Sequence, residues 1–359
     1  MKFKLLILFV MLGALANAQP SKTRNIILIT LDGMRWQEVF GGADPRLVGH
    51  TPIVEDTVAL KQTFWAPSSA ERRARLFPFL WSVVEKNGQL YGNRAIGSLV
   101  NTTNKMWFSY PGYNEILTGA ADDTQVTTND HVDNPNVNIL EYIEQQPGFN
   151  GKVAAFSSWD CFPWIINVGR NGLPVNSGKV SFTPLNDKVA VLNEIQFQLP
   201  DISGSTRLDA FTFHYAFEYL KRQQPRVLFI SFDETDHYAH EGRYEHYLAS
   251  ARYTDDMIGQ LWSWIQQQPA YKDQTTMIIT CDHGRGGDNQ EDWKHHGSKV
   301  RNADQIWMGI IGPDTPATGE QNKGQFYQNQ IAQTIAQLLG LQFKGTQPAG
   351  QRISNAFRK

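Results

Sequence analysis

The chain has 359 residues and nearly balanced charge, with 33 Lys and Arg residues against 35 Asp and Glu. This balance lacks the basic excess of a nucleic-acid-binding surface, so we expect no nucleic-acid partner. Apolar residues make up 41% of the chain and aromatic residues 12%, which is enough for a large core and unlike a disordered chain. Two cysteines, Cys161 and Cys281, are too few for a disulfide scaffold; pairing in an oxidising compartment is the alternative to the buried free thiols that we expect.

The first residues predict an export signal. Lys2 and Lys4 precede an apolar run from Leu5 to Leu15, and Ala16-Asn17-Ala18 then supplies the small residues of a cleavage site. We therefore predict a signal peptide at residues 1–18 and a periplasmic or secreted mature chain. Neither this run nor any later segment reaches the roughly 20 apolar residues of a transmembrane helix. The sequence predicts no membrane span.

Apolar runs then alternate with segments of helical periodicity. The runs predicted as buried strands are Asn25 to Leu31, Val153 to Phe156, Val227 to Phe232, Met277 to Thr280 and Ile306 to Ile311. The segments predicted as helices are Leu76 to Glu85, Ile139 to Gln145, Leu208 to Arg222, Tyr244 to Gln268 and Asn329 to Leu339. This alternation predicts a doubly wound α/β fold, with a mostly parallel central sheet and helices on both faces.

The domain organisation follows from the same pattern. Residues 19–359 are predicted to form a single domain, because no repeat or linker divides them. The polar, turn-rich segment from Gly169 to Thr206 is predicted to be a small cap or insertion.

Metal-binding side chains follow three of the predicted strands. Asp32 comes after the first strand, Asp236 shortly after Val227 to Phe232, and Asp282-His283 directly after Met277 to Thr280. Ligand sites in such sheets lie at the carboxyl ends of the strands, so these side chains should meet at one edge. Carboxylate and imidazole groups together are typical ligands of zinc.

Two choices stay open at this level. Asp236-x-x-x-His240 and Asp233-x-x-x-His237 have the same spacing, which brings either pair to one face of a helical turn. The sequence Lys294-His295-His296-Gly297 offers two adjacent imidazoles. Spacing alone selects neither the pair nor the imidazole.

The candidate nucleophile lies in Ser109-Tyr110-Pro111-Gly112-Tyr113. A hydroxyl at a helix start is close to unpaired amides and to the positive end of the helix dipole, which stabilise an alkoxide and attract phosphate oxygens. The alternative is that Ser109 only caps the helix.

The ordered set of motifs resembles the alkaline phosphatase superfamily, most closely its type I phosphodiesterase/nucleotide pyrophosphatase branch, over nearly the whole mature chain. The motifs are Asp32, Ser109-Tyr110-Pro111-Gly112-Tyr113 with Leu117-Thr118-Gly119, Asp236-x-x-x-His240-x-Gly242, Asp282-His283-Gly284 and His296-Gly297. The branch carries an acidic residue three positions before its metal-binding Asp, and its last metal-binding His precedes Gly. The resemblance therefore favours Asp236 and His240 over Asp233 and His237, and His296 over His295.

The resemblance implies an alkaline phosphatase-like fold and two divalent metal ions, for which we expect zinc. One ion would be held by Asp236, His240 and His296, and the other by Asp32, Asp282, His283 and Ser109. Asn134 resembles the branch's amide that steadies a phosphoryl oxygen, with Asn136 close enough to compete.

The function implied is an exported metal-dependent hydrolase of phosphate esters that forms a phosphoserine on Ser109. A sulfatase is one alternative, although its pattern of Cys or Ser, x, Pro, x, Arg has Tyr113 in the Arg position here. A phosphoglycerate mutase and a non-catalytic periplasmic binding protein are further alternatives. The sequence does not separate monoesters from diesters; Trp159 and Arg170 are the candidates for lining the pocket.

Overall fold

The computed structural model describes residues 21–199 and 204–358, so the predicted signal peptide lies outside the described residues. The strands are β1 (Asn25–Leu31), β2 (Gln89–Tyr91), β3 (Ser98–Asn101), β4 (Val153–Ser157), β5 (Val175–Ser177), β6 (Val227–Phe232), β7 (Thr275–Thr280), β8 (Gln305–Ile306), β9 (Met308–Ile311), β10 (Gly319–Glu320) and β11 (Gly324–Tyr327).

The helices of the described residues are α1 (Trp36–Gly41), α2 (Thr57–Phe64), α3 (Ser69–Leu76), α4 (Glu85–Asn87), α5 (Ser109–Thr118), α6 (Ile139–Glu144), α7 (Phe162–Ile166), α8 (Val168–Asn171), α9 (Asp187–Gln198), α10 (Asp209–Gln223), α11 (Glu234–His240), α12 (Tyr244–Ile265) and α13 (Gln330–Leu338). A π-helix (Leu80–Val84) precedes α4, and short 3-10 turns occur at Arg94–Ile96, Asp292–Lys294 and Ser354–Ala356. None of the helices in the described ranges is long and apolar enough to cross a membrane.

A large mixed sheet forms the centre of the fold. In the described residues it has eight strands in the order β10-β2-β9-β7-β1-β6-β4-β5, and β11, β3 and β8 form a smaller sheet. The run β7-β1-β6-β4-β5 is parallel throughout, and β9 pairs antiparallel with both β7 and β2. The predicted α/β fold with a mostly parallel sheet flanked by helices is confirmed.

The central strands are buried along their whole length. Every residue of β1, β6 and β7 is buried, as expected for parallel strands with both faces covered. This explains why these strands read in the sequence as continuous apolar runs rather than as alternating ones. Because the three strands are neighbours and parallel, their carboxyl ends lie side by side.

Two predicted elements differ from the structure. The predicted strand from Ile306 to Ile311 is interrupted at Trp307, which is buried and donates its indole N–H to the carbonyl oxygen of Met34 over 3.0 Å. The predicted helix from Leu76 to Glu85 is also interrupted: α3 ends at Leu76, because Pro78 disfavours helical geometry at Phe77. Helical structure resumes with the π-helix, whose entry is held by Asp255 through the amides of Phe79 and Leu80.

The segment predicted as a cap, Gly169 to Thr206, contains most of α8 and all of β5 and α9, and its residues 200–203 lie outside the described residues. β5 pairs parallel with β4 and extends the central sheet, while α9 packs against α10. Cys161 and Cys281 are both buried and free, as the sequence predicts.

Candidate metal centre

Three neighbouring strands bring candidate ligands to one edge of the sheet. Asp32 follows β1 directly, Asp282 and His283 follow β7, and Asp236 lies in α11, which begins two residues after β6. The carboxyl ends of parallel strands meet at one edge, so residues far apart in sequence converge there. The structure places them in two adjacent groups.

The inner cluster consists of Asp32, Asp282 and His283, all buried, with potential ligand atoms within 4.8 Å of one another. His283 Nε2 lies 3.3 Å from Asp32 Oδ1 and 3.5 Å from Asp282 Oδ2. His283 Nδ1 lies 2.8 Å from the carbonyl oxygen of Gly284, which can only accept, so Nδ1 carries a proton and Nε2 is the nitrogen that would bind a metal in the neutral ring. Within the described residues, the buried Asp282 Oδ2 has no hydrogen-bond partner. An orphaned carboxylate oxygen among nitrogen and oxygen donors fits a divalent cation.

The outer cluster consists of Asp236, His240 and His296, again with potential ligand atoms within 4.8 Å of one another. The Nε2 atoms of His240 and His296 are 2.9 Å apart, and His240 Nε2 lies 3.2 Å from Asp236 Oδ2. The side chain of His240 is 46% exposed, so this cluster opens to solvent. Two imidazole nitrogens and a carboxylate oxygen this close together fit a divalent metal ion.

The two clusters touch one another. The rings of His283 and His296 stack with centroids 4.0 Å apart, and Asp236 Oδ1 lies 3.6 Å from His283 Nε2. This is the proximity that a pair of metal ions acting on one substrate requires.

Ser109 lies beside the inner cluster. Its Oγ is 3.5 Å from Asp32 Oδ1 and 3.4 Å from His283 Nε2. Ser109 is the first residue of α5, and the cap position belongs to Phe108, which makes no side-chain capping bond. The alternative that Ser109 serves as the helix cap is therefore wrong. The hydroxyl faces the candidate ligands instead.

The approach of α5 to the inner cluster depends on Gly112. A Cβ atom at this position would lie 2.3 Å from the carbonyl oxygen of Asp282, far closer than real Cβ contacts. Gly112 therefore allows the helix that carries Ser109 to pack directly on the backbone of a candidate ligand.

The pKa values of the candidate ligands are shifted in opposite directions. Burial and the charge of Asp32 hold the pKa of Asp282 well above its usual range. Burial acts in the same sense on Asp236, but Arg285 and His240 outweigh it and hold the pKa of Asp236 well below its usual range. For His283, burial is outweighed by Asp282 and Asp32, which raise its pKa to about 9. Strong shifts of opposite sign among neighbouring groups are typical of functional sites.

The structure also shows where the residues lie between which the sequence spacing could not choose. Asp233 precedes α11 and stays outside both clusters, and His237 Nε2 pairs with Glu241 over 3.3 Å. His295 is exposed, whereas His296 belongs to the outer cluster. Asp236, His240 and His296 are therefore the members that the fold brings together.

Asn134 and Asn136 have other partners. Asn134 Nδ2 donates to Asn114 Oδ1 over 3.1 Å, and Asn136 Nδ2 donates to Asn114 Oδ1 and to Asp122 Oδ2. Neither side chain hydrogen-bonds to Ser109 in the described part of the chain. Arg170, expected to line the pocket, pairs with Glu141 over 2.6 Å and also donates to the carbonyl oxygens of Asn134 and Asn136. These residues shape the loop that faces the start of α5.

Another asparagine of the same loop, Asn129, contacts α5, the helix that carries Ser109. Asn129 is exposed, and its Oδ1 accepts from the backbone amide of Tyr110 over 2.9 Å, one residue after Ser109. Sequence reasoning missed it, because Asn129, Asn134 and Asn136 follow one another in a polar stretch with no pattern that ranks them.

Two further residues contact the candidate ligands and were also missed. Tyr113 donates its hydroxyl proton to Asp32 Oδ2 over 2.9 Å. The fully buried Arg285 pairs with Asp236 Oδ1 and donates to the backbone carbonyl oxygen of Asp236. Gly33 leaves room for this pair, since a Cβ there would lie 2.7 Å from both Arg285 Nε and Asp236 Oδ1.

Solved structures share this architecture. Alkaline phosphatase PafA aligns with a TM-score of 0.61 and 11% identity, covering 95% of this chain and 100% of its own. Murine ectonucleotide pyrophosphatase/phosphodiesterase 5 aligns with a TM-score of 0.55 and 12% identity, covering 93% of this chain and 100% of its own. The lipoteichoic acid synthase LtaP from Listeria monocytogenes aligns with a TM-score of 0.57 and 12% identity, covering 89% of this chain and 72% of its own. No curated protein sequence matches the chain.

The match to the Sulfatase family model, together with the shared fold and the two donor clusters, places the chain among the hydrolases of the alkaline phosphatase superfamily, whose enzymes depend on metal ions. The sequence matches the family model described as Sulfatase over residues 24–341. The chain therefore belongs to the sulfatase family.

Proposed function

We propose that this chain is an exported hydrolase of phosphate esters that acts through a covalent phosphoserine on Ser109. The observation that supports this most directly is the position of Ser109 Oγ, 3.5 Å from Asp32 Oδ1 and 3.4 Å from His283 Nε2, beside two adjacent donor clusters. Two divalent metal ions, for which we propose zinc, would be held by the inner cluster with Ser109 and by the outer cluster. When bound they supply Lewis acidity at the phosphoryl oxygens and favour the ionised form of a coordinated hydroxyl.

The proposed reaction has two chemical steps, and Ser109 takes part in both. Ser109 loses its proton and its oxygen attacks phosphorus, while the bond from phosphorus to the ester oxygen breaks and that oxygen takes up a proton. Water next attacks the phosphoserine, which frees the phosphate product and restores the Ser109 hydroxyl. Two in-line displacements give net retention at phosphorus.

We propose Asn129 rather than Asn134 for the amide that steadies a phosphoryl oxygen. Its Oδ1 accepts from the amide of Tyr110, which fixes the side chain next to Ser109; the residue is exposed, and within the described residues its NH₂ group has no hydrogen-bond partner and could donate to an anion. The side chain of Asn134, in contrast, is buried and already donates to Asn114.

The family model favours sulfate esters as a second candidate substrate class. Against this, Tyr113 occupies the position of the Arg in the sulfatase nucleophile pattern, and its hydroxyl contacts Asp32. The chemistry of the site is compatible with either ester, so direct assay has to separate them.

The test compares nitrophenyl phosphate, bis(nitrophenyl) phosphate and nitrophenyl sulfate on protein loaded with zinc. We expect hydrolysis of at least one phosphate ester, loss of that activity after chelation and recovery on adding zinc. The faster phosphate ester assigns the monoester or diester preference. Turnover of the sulfate alone, or of none of the three, would contradict the proposed function.

Export is proposed from residues 1–18. Expression with and without this segment, followed by N-terminal sequencing of the recovered protein, tests it. A mature chain that begins at Gln19 outside the cytoplasm is the expected result. Retention of the intact N-terminus inside the cell would contradict it.

A further inference from the structure

Each of the three acidic members of the clusters has one oxygen held by a donor from the protein. Asp32 Oδ2 accepts from the Tyr113 hydroxyl over 2.9 Å, and Asp282 Oδ1 accepts from the Gly33 amide over 3.0 Å. Asp236 Oδ1 pairs with Arg285. One oxygen of each carboxylate is thereby bound by the protein, although Asp236 Oδ1 also lies 3.6 Å from His283 Nε2 and 3.7 Å from His296 Nε2.

The second oxygen of each carboxylate faces its cluster. Asp32 Oδ1 lies 3.3 Å from His283 Nε2, and Asp236 Oδ2 lies 3.2 Å from His240 Nε2. Asp282 Oδ2 is buried and has no hydrogen-bond partner in the described residues. In the inner cluster, Asp32 and Asp282 therefore each present one oxygen to a cation.

Tyr113 differs from the other two donors because it belongs to the nucleophile's own helix. It lies four residues after Ser109, so the two side chains share one face of α5. Its hydroxyl accepts from Ser231 Oγ over 2.9 Å, which directs the phenol proton towards Asp32. The ring is fully buried and packs edge-on against Phe162 at a centroid distance of 4.7 Å. Ser231 on β6, Tyr113 on α5 and Asp32 after β1 thus form one chain of hydrogen bonds.

We infer that Tyr113 is a positioning residue that fixes Asp32 for metal binding beside Ser109, with Ser231 acting through it. A free carboxylate can rotate and offer either oxygen or both. The phenol removes that freedom, because Asp32 is buried and its Oδ2 would lose its partner on turning. Asp32 Oδ1 is then held between His283 and Ser109. The inference deepens the proposed function, on which it rests for the identity of the metal site.

The experiment measures zinc affinity of metal-depleted protein by competition with a chromophoric chelator. Tyr113→Phe keeps the ring and removes only the hydroxyl. Loss of a partner of this kind costs about 10- to 100-fold in metal affinity, and we expect that loss at one of two sites. Tyr271→Phe is the matched control, since Tyr271 is also buried and donates to the Pro225 carbonyl oxygen over 2.7 Å at the opposite edge of the sheet. It should bind zinc as the wild type does.

Ser231→Ala completes a double-mutant cycle. We expect a smaller loss of zinc affinity in the wild-type background and no further loss in the Tyr113→Phe background, because Ser231 acts through the phenol. A purely structural role of Tyr113 would lower the melting temperature of the metal-depleted protein without this coupling. Wild-type zinc affinity in Tyr113→Phe overturns the inference. If Tyr113→Phe fails to fold, the zinc affinity of Ser231→Ala tests the inference instead. Wild-type zinc affinity in Ser231→Ala then overturns the inference.

The outcome is separable from that of the proposed function. Zinc affinity is measured without substrate, so a wild-type protein that binds zinc but hydrolyses no phosphate ester contradicts the function and still tests Tyr113. Conversely, active wild-type enzyme with unchanged zinc affinity in Tyr113→Phe contradicts only the inference.

Discussion

At the scale of the residue, the Ser109 hydroxyl takes part in no capping interaction within the described residues. This favours a catalytic role for Ser109 over a structural one. Its nearest polar neighbours are Asp32 Oδ1 and His283 Nε2. A serine at the first position of a helix whose hydroxyl points away from the helix amides contributes little to helix stability. Its substitution should therefore affect chemistry far more than folding.

Ser109→Ala removes the proposed nucleophile and leaves six candidate ligands. We expect turnover to fall by at least about 10³-fold, because only poorly placed water could then attack. Ser109→Thr keeps a hydroxyl and should be partly active. Steady-state rates and melting temperatures on the same preparations check this, and acid quench with mass spectrometry should trap phosphate on Ser109. Near-normal turnover in the alanine variant would end the covalent mechanism.

Asp282→Ala and Asp233→Ala distinguish a proposed ligand from its neighbour. Both carboxylates are buried, but only Asp282 has an orphaned oxygen that faces a cluster. We expect Asp282→Ala to lose the zinc of the inner cluster and at least about 10²-fold in activity, and Asp233→Ala to retain most of its metal. Zinc content by elemental analysis is the measurement. Full zinc content in the Asp282 variant would refute the assignment.

At the scale of the element, α5 lies against the loop that follows β7. The contact depends on Gly112, whose missing side chain lets the helix meet the Asp282 backbone. Small shifts of this helix move Ser109 relative to both clusters.

Gly112→Ala should displace α5. Overpacking of this kind typically costs about 1–3 kcal/mol, and we expect a loss of activity larger than the loss of stability explains, because Ser109 moves with the helix. Gly41→Ala is the control, since a Cβ at Gly41 would meet nothing within 4 Å. Activity and the free energy of unfolding are measured for both. Equal activity of the two variants would show that the close approach is unimportant.

The entry to the π-helix gives a pH-dependent prediction. Asp255 in α12 accepts from the amides of Phe79 and Leu80, and burial raises its pKa to about 7. Between about pH 4 and pH 7 the folded protein therefore binds a proton at Asp255 that the unfolded chain does not. The contribution of this group to the free energy of unfolding is fully present below its unfolded pKa and is lost as pH rises towards 7, by at most about 1.4 kcal/mol per pH unit.

Asp255→Asn removes this titration. The difference in free energy of unfolding between wild type and Asp255→Asn should decrease as pH rises from 4 to 7, and chemical denaturation at several pH values measures it. Asp256→Asn, at the more exposed neighbouring carboxylate, reports the effect of an amide substitution in the same helix. A difference that stays constant over this pH range contradicts the prediction.

The central strands could be read from the sequence because burial on both faces leaves them uniformly apolar. β1 and β6 have the predicted bounds, and β7 starts only two residues earlier than predicted. The interruptions at Trp307 and Phe77 were not predictable from periodicity. Trp307 leaves the strand to reach the Met34 carbonyl oxygen, a partner distant in sequence.

The candidate site could be predicted in part from the sequence, because the predicted strands show where the strands end. Strand ends locate Asp32 and Asp282, but the choice between the two Asp-His pairs depends on where α11 begins. Since the helix starts at Glu234, Asp236 and His240 lie within it and Asp233 precedes it. Tyr113 and Arg285 carry no signal, because their contacts with Asp32 and Asp236 join segments that only the folded chain brings together.

At the scale of the whole molecule, the proposed ligands come from sites spread over most of the chain. The first is Asp32 after β1 and the last is His296, more than 260 positions later. They meet only when β1, β6, β7 and the loop after β7 are in place. Cations bound at the two clusters would therefore link the centre of the sheet to the nucleophile helix, and their binding energy would contribute to folding.

Chelation should consequently destabilise the whole fold. A ligand that binds only the folded state at 100 times its dissociation constant adds about 2.7 kcal/mol per site, and each kcal/mol shifts the melting temperature of a chain of this size by roughly 2–4 °C. We expect thermal unfolding of the zinc-loaded protein to fall by several degrees on chelation and to recover when zinc is restored. Asp282→Ala should show a smaller chelation shift, because its inner cluster already lacks a ligand. If chelation removes the metal from the wild type, as checked by elemental analysis, and the melting temperature does not change, the clusters do not join these segments through a metal.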